Sequence, residues 1–114
     1  MADRARFRLR DIVDAVDQIE KILDDKTFAD VFSDRLLRAG FERFLEIISE
    51  ASRHIPPEMK DGAPEIPWSD IAAIGNHLRH AYHRVDFEIL WRIYEDGELY
   101  ELRAAAKKFL EAQI

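Results

Sequence analysis

The chain reads as an all-α protein, five helices in an up-and-down, four-helix-bundle-like arrangement. Three observations predict this. Apolar residues return at intervals of three and four along almost the whole length, the mark of helices that each bury one stripe. All four prolines fall between Pro56 and Pro67, so proline interrupts no other stretch. The 114 residues, 47% of them hydrophobic, suit one core and a single domain over 1–114, at roughly 100–150 residues per typical domain.

The elements follow in order. Leu9, Ile12, Val13, Val16, Ile19 and Leu23 form one stripe, which predicts a first helix from near Asp3 to Asp24-Asp25. Thr27 then offers a hydroxyl cap, and Asp30 three residues on makes a capping box with Asp in place of Glu. The second helix carries Leu37, Phe41, Phe44, Ile48 and Ile55 on its stripe, with Phe32, Leu36 and Leu45 widening it. Gly40 inside it costs about 1 kcal/mol against alanine and would let another helix come close. Pro56-Pro57 stops this helix, and the stretch from Pro56 to Pro67 reads as a loop. A third helix starts at Ser69 or Asp70, with Trp68 anchoring its entry. Asp86 caps a short fourth through Phe87, Ile89, Leu90, Trp91 and Ile93. Asp96-Gly97 marks a break before a last helix through Leu99, Leu102, Ala106, Phe109 and Leu110.

Composition removes several function classes. With no cysteine there is no disulfide, thiolate zinc site or cysteine nucleophile. Four glycines are too few for a Gly-rich phosphate loop. The net charge of −6 repels nucleic acid and anionic membrane at long range, so any polyanion site must be a confined basic cleft. The basic N-terminus leads into no apolar run, and nowhere do about 18 apolar residues follow one another. No membrane contact and a cytoplasmic location are therefore expected.

Three of the four histidines lie within seven residues, His77, His80 and His83. On a continuous third helix, Asn76, Arg79, His80 and His83 would share one face. Ile71, Ile74, Leu78, Tyr82 and Val85 would form the opposite, core stripe. An imidazole moves protons at neutral pH, and a guanidinium holds a phosphate through paired hydrogen bonds. That face would therefore suit ribonuclease chemistry without a metal or cofactor. It would equally suit a plain solvated flank. A metal site is not expected: His83 lies off the face of His77, and no carboxylate stands at ligand spacing. Asp11, Asp14 and Asp17 read as a solvated face. Glu50 reads as partly buried, in hydrogen-bonding reach of the third helix. Ala72 and Gly75 make a small-residue flank on which a second copy could pack.

The order Ile66-Pro67-Trp68, Asn76-x-Leu78-x-His80-x-Tyr82 and Val85-Asp86 followed by Trp91 resembles the HepT-like branch of the HEPN families. Upstream, Glu46-Ile47-Ile48-Ser49-Glu50-Ala51 is similar to a turn those proteins carry on their second helix. The similarity runs from about Phe7 to Leu110. It implies a HEPN domain that dimerises and acts as the toxin of a toxin–antitoxin pair, a metal-independent endoribonuclease. The implied partner is a nucleotidyltransferase-fold antitoxin that transfers AMP to a tyrosine. By the same resemblance, His80 is the catalytic histidine and Tyr82 the AMP acceptor. Arg79 and Asn76 would complete the catalytic set, with His83 and Arg84 as further substrate-binding residues. One departure stands out. The family arginine would fall at Gly75, Ile74 or Ala73, and none of these is arginine. The alternative implied by that loss is a catalytically inactive module that binds a nucleotide or the partner enzyme.

Overall fold

The computed structural model describes residues 2–81 and 83–112. Among them it is all-α, and its eight helices resolve the five expected segments more finely. The first is α1 (Ala2–Leu23), ending where the stripe ends. Asp25 follows with φ 62°, a left-handed conformation that aspartate tolerates better than most residues. Thr27 and Asp30 form the expected capping box at α2 (Phe28–Ser33). The Asp30 amide donates to Thr27 Oγ1 (3.1 Å) and the Thr27 amide to Asp30 Oδ2 (2.9 Å).

The expected second helix is two helices. Asp34 closes α2 by donating its amide to the Val31 carbonyl. Its Oδ1 then caps α3 (Arg35–Arg53) by accepting from the Leu36 and Leu37 amides, at 3.0 and 3.1 Å. A single aspartate thus ends one helix and starts the next. The apolar spacing carries across it almost unbroken, so the pattern conceals the join. Leu36, expected to widen the stripe, sits at the new N-terminus and is 85% exposed.

Helices α1 and α3 run antiparallel. A methyl group on Gly40 would lie 3.2 Å from Ile22 Cδ1 near the end of α1, whereas Arg8 near its start acts on Glu50 near the end of α3. Gly40 thus gives the close approach that the sequence suggested. The proline-rich stretch contains one helical turn, α4 (Pro57–Asp61), with Pro57 at its first position, where the missing N–H costs nothing.

The expected third helix is also divided, into α5 (Trp68–Ala72) and α6 (Ile74–Leu78). It stops before the histidine run is complete. Trp68 holds the entry as predicted, its indole N–H donating to the Ala63 carbonyl at 3.0 Å. Next come α7 (Arg84–Glu95) and α8 (Glu98–Ala112). The N-cap of α7 is His83, and Asp86 stands in its first turn. Asp86 still suits the helix dipole there, although it is not the cap. Gly97, at φ +83°, makes the break before α8 that L-residues resist.

The core gathers α1, α3, α7 and α8 around Leu9, Ile12, Phe41, Ile48, Phe87 and Leu102, all fully buried. An aromatic cluster ties α2 and α3 to α7: Phe87 lies 5.5, 5.2 and 5.8 Å from Phe28, Phe32 and Phe41. Arg103 of α8 bridges to α1, donating to Asp17 Oδ1 (2.6 Å) and Glu20 Oε1 (2.9 Å). Asp17, read as merely solvated, is therefore part of a helix–helix tie. Among the described residues no helix is long and apolar enough to cross a membrane.

Candidate functional site

Helices α5 and α6 lie across α3, and one polar contact fixes their position. Ser49, only 1% exposed, donates its hydroxyl to the Ala72 carbonyl at 3.0 Å. Arg53, one turn further along α3, reaches the same carbonyl through Nη2 (3.1 Å) and Nε (3.4 Å), and Nη2 also meets Ser49 Oγ at 3.4 Å. The Ala72 carbonyl closes α5, at the end of a helix where carbonyls lack the next turn's amides as partners. Its acceptance of three donors from α3 explains why the chain breaks there.

Above this contact opens a cleft of about 330 Å³ lined by Glu46, Ser49, Glu50, Arg53, Gly75, Leu78 and Arg79. Gly75 is part of its lining. A Cβ at that position would stand 2.7 Å from Arg53 Nη2, so the guanidinium occupies the space a side chain would fill. The small-residue flank seen in the sequence is thus covered at Gly75 by an arginine of the same chain.

The glutamates in the cleft have hydrogen-bonding partners of their own. Glu46 accepts from Arg43 Nη1 at 2.6 Å. Glu50 pairs with His54 Nε2 at 3.0 Å and with Arg53 Nη1 at 3.4 Å. The hydrogen bond from His54 holds the Glu50 carboxyl below its ordinary range. Glu50 is exposed and bonds within α3, not to the third segment as expected. The cause is its place beside His54 and Arg53 at the helix end.

The candidate residues divide. Arg79 lines the cleft. Asn76 is exposed on α6, and no hydrogen bond joins its side chain to His80 among the described residues. His80 is exposed in the turn after α6, its amide donating to the His77 carbonyl at 3.1 Å. His83 caps the backbone of α7 and is exposed. Asn76, Arg79, His80 and His83 therefore do not share one helical face, because the helix they would need ends at Leu78. For the same reason Val85, expected in the core stripe, is 69% exposed. Arg84 pairs with Glu88 Oε1 at 3.1 Å and lies over the Phe28 ring, 5.0 Å from its centroid. Tyr82 lies outside the described residues.

Two residues take structural roles that the sequence did not assign them. His77 Nδ1 pairs with Asp86 Oδ1 at 3.4 Å, half-buried, and links α6 to α7 across the turn that carries His80. Arg53 is the other. Its signal was faint: a serine and an arginine four apart on α3, and a glycine in a distant helix. Among the described residues no group of three or more His, Asp or Glu is placed to hold a metal ion.

Comparison with known proteins adds a family. The family described as Ribonuclease HepT-like matches residues 12–109. The chain is 39% identical over 88 residues to "Probable ribonuclease HepT" of Thermococcus cleftensis, covering 77% of this chain and 80% of that one. It is 30% identical over 88 residues to "Putative RNase MJ1380" of Methanocaldococcus jannaschii, covering 77% and 81%. No solved structure matches significantly.

Proposed function

Because the chain belongs to the HepT-like ribonuclease family, we propose that it cleaves RNA without a metal, with His80 as general acid/base and Arg79 as the phosphate-binding cation. The observation that carries this reading is the family match over residues 12–109. The structure adds that Arg79 lines a cleft while His80, the next residue, faces solvent in the adjoining turn. In the proposed reaction the His80 imidazole takes the proton of a ribose 2′-hydroxyl, and O2′ attacks the adjacent phosphorus. The P–O5′ bond breaks, leaving a 2′,3′-cyclic phosphate, and an acid delivers a proton to the departing oxygen. Arg79 stabilises the charge gathered on the phosphoryl oxygens. Asn76 orients the imidazole only once substrate is bound, since no hydrogen bond joins the two side chains among the described residues. A homodimer supplies base and acid from two facing copies. His83 and Arg84 contact the flanking nucleotides.

In this reading the protein is a cytoplasmic toxin, silenced when a nucleotidyltransferase-fold antitoxin moves AMP onto Tyr82. His80→Ala should abolish RNA cleavage and toxicity with the helical fold unchanged. A variant as active as the parent refutes the mechanism. Intact mass and peptide mapping after co-expression with a nucleotidyltransferase-fold partner test the rest: the adduct is expected on Tyr82, and an active partner that adds none refutes the pairing. Gly75 favours one second reading, a non-catalytic module that binds the partner or a nucleotide in the same cleft. It predicts tight binding with no RNA turnover.

A further inference from the structure

We propose that Arg53, lying over Gly75, forms with Arg79 a two-guanidinium clamp for a phosphodiester of the RNA strand. This rests on the RNA-cleaving reading of the same site, and it assigns substrate binding to a residue of α3 that the sequence did not single out.

Four observations carry it. First, the guanidinium is preset. The Ala72 carbonyl and Ser49 hydroxyl hold its Nε and Nη2, and the buried Ser49 is itself tied to that carbonyl. An arginine fixed in this way loses little further entropy when it binds. Second, it remains available. The side chain is 46% exposed, and with five N–H donors on a guanidinium at least one on Nη1 lacks a partner among the described residues. Third, Gly75 makes the arrangement possible, because any Cβ there would meet Nη2 at 2.7 Å. Fourth, Arg53 and Arg79 line one cleft, and two like charges brought together are relieved by an anion between them.

The surroundings extend the site into a track. The cleft shares Glu46 and Glu50 with a second hollow lined also by Arg8, Asp11 and Arg43. That hollow shares Arg8 and Asp11 with a third containing Arg4 and His54. Along the three, five arginines stand against three carboxylates, on a chain whose net charge is −6. Glu46 is paired to Arg43, and Glu50 bonds His54 and takes one Nη1 hydrogen of Arg53, so an incoming phosphate meets the remaining Nη1 hydrogen of Arg53 beside an already engaged carboxylate. A confined basic path on an acidic protein is suited to a polyanionic strand.

The test separates binding from cleavage. A fluorescein-labelled oligoribonucleotide with 2′-O-methyl groups at every position binds but has no attacking hydroxyl. Its affinity is followed by anisotropy over a range of salt, alongside cleavage of the unmodified strand. Arg53→Gln and Arg79→Gln should each weaken binding about tenfold. Each should flatten the dependence of log K on log salt by about 0.7, the change for one lost phosphate contact on a single strand. Gly75→Ala keeps every charge but displaces the guanidinium, and should weaken binding several-fold with an unchanged helical spectrum. Arg53→Lys should recover only part of the loss. Wild-type affinity and salt slope in Arg53→Gln overturn the clamp, as does failure of the wild-type protein to bind the probe. His80→Ala distinguishes the two levels. If it still cleaves while Arg53→Gln loses affinity, the catalytic reading falls and the clamp stands. If it is dead while Arg53→Gln binds normally, the clamp falls alone.

Discussion

Replacing Phe87 by alanine should remove much of the stability of the bundle. Phe87 is fully buried and touches Phe28, Phe32 and Phe41, which come from α2 and α3. It is therefore a main attachment of α7 to the rest of the molecule. Removing the ring leaves a cavity walled by three other rings, too rigid to collapse fully. Buried Phe→Ala changes cost about 3–5 kcal/mol, within which each edge contact contributes roughly 0.5–1.5 kcal/mol. An unfolding entropy of about 2.1 cal/mol/K per residue over the chain gives about 0.24 kcal/mol/K, so Tm should fall by roughly 12–20 °C. Circular dichroism during heating and urea titration measures this, and the urea slope should stay unchanged. A loss of under about 1 kcal/mol would refute the reasoning, because it would fall outside the range for a closed aromatic site. The partial variant Phe87→Leu should fall between parent and alanine.

Three further predictions follow from single contacts. Thr27→Ala removes the hydroxyl that caps α2 and should cost about 1 kcal/mol in urea unfolding. An unchanged midpoint would mean that the box is ornamental. Arg103→Met cuts α8 from Asp17 and Glu20. Both carboxylates are about half exposed, so the loss should be only about 1 kcal/mol and should shrink in high salt; a salt-independent loss would point to packing instead. Burial, aided by Tyr100, pushes the Tyr94 phenol up to about 12. The neutral phenol is the favoured form, so its contribution is complete below the ordinary tyrosine range and is lost as pH climbs towards 12. Ultraviolet titration should show one late phenolate step, which disappears in Tyr94→Phe.

Local chemistry was the most legible part of the sequence. The end of α1, the Thr27–Asp30 box and the Gly97 break each depend on a few neighbouring residues, and each stands where expected; the proline-bounded stretch, expected as a loop throughout, holds the α4 turn because Pro57 fits a first helical position. The joins at Asp34 and Ala73 were hidden for one shared reason. Apolar spacing continues through them, and only the tertiary placement of α3 decides that the Ala72 carbonyl finds partners outside its own helix. Losing that continuity dissolved the single face drawn for Asn76, Arg79, His80 and His83. The Arg53–Gly75 pairing could not be read at all. It joins positions 22 residues apart through the reach of a side chain, and nothing in either local sequence requires the other.

The turns after α6 have a consequence for how the protein breathes. The amides of His80, Ala81 and His83 donate to carbonyls three residues back, while the flanking helices are anchored in the core. Bonds of this kind fix little chain for each contact, and His80 and His83 on either side of the buried Ala81 are exposed. Their amides should exchange with solvent deuterium through small local openings, orders of magnitude sooner than those of α1 or α3. The His80 turn can then adjust to a bound strand while the bundle beneath it stays closed, and an incoming ligand should be registered first as protection in these few amides.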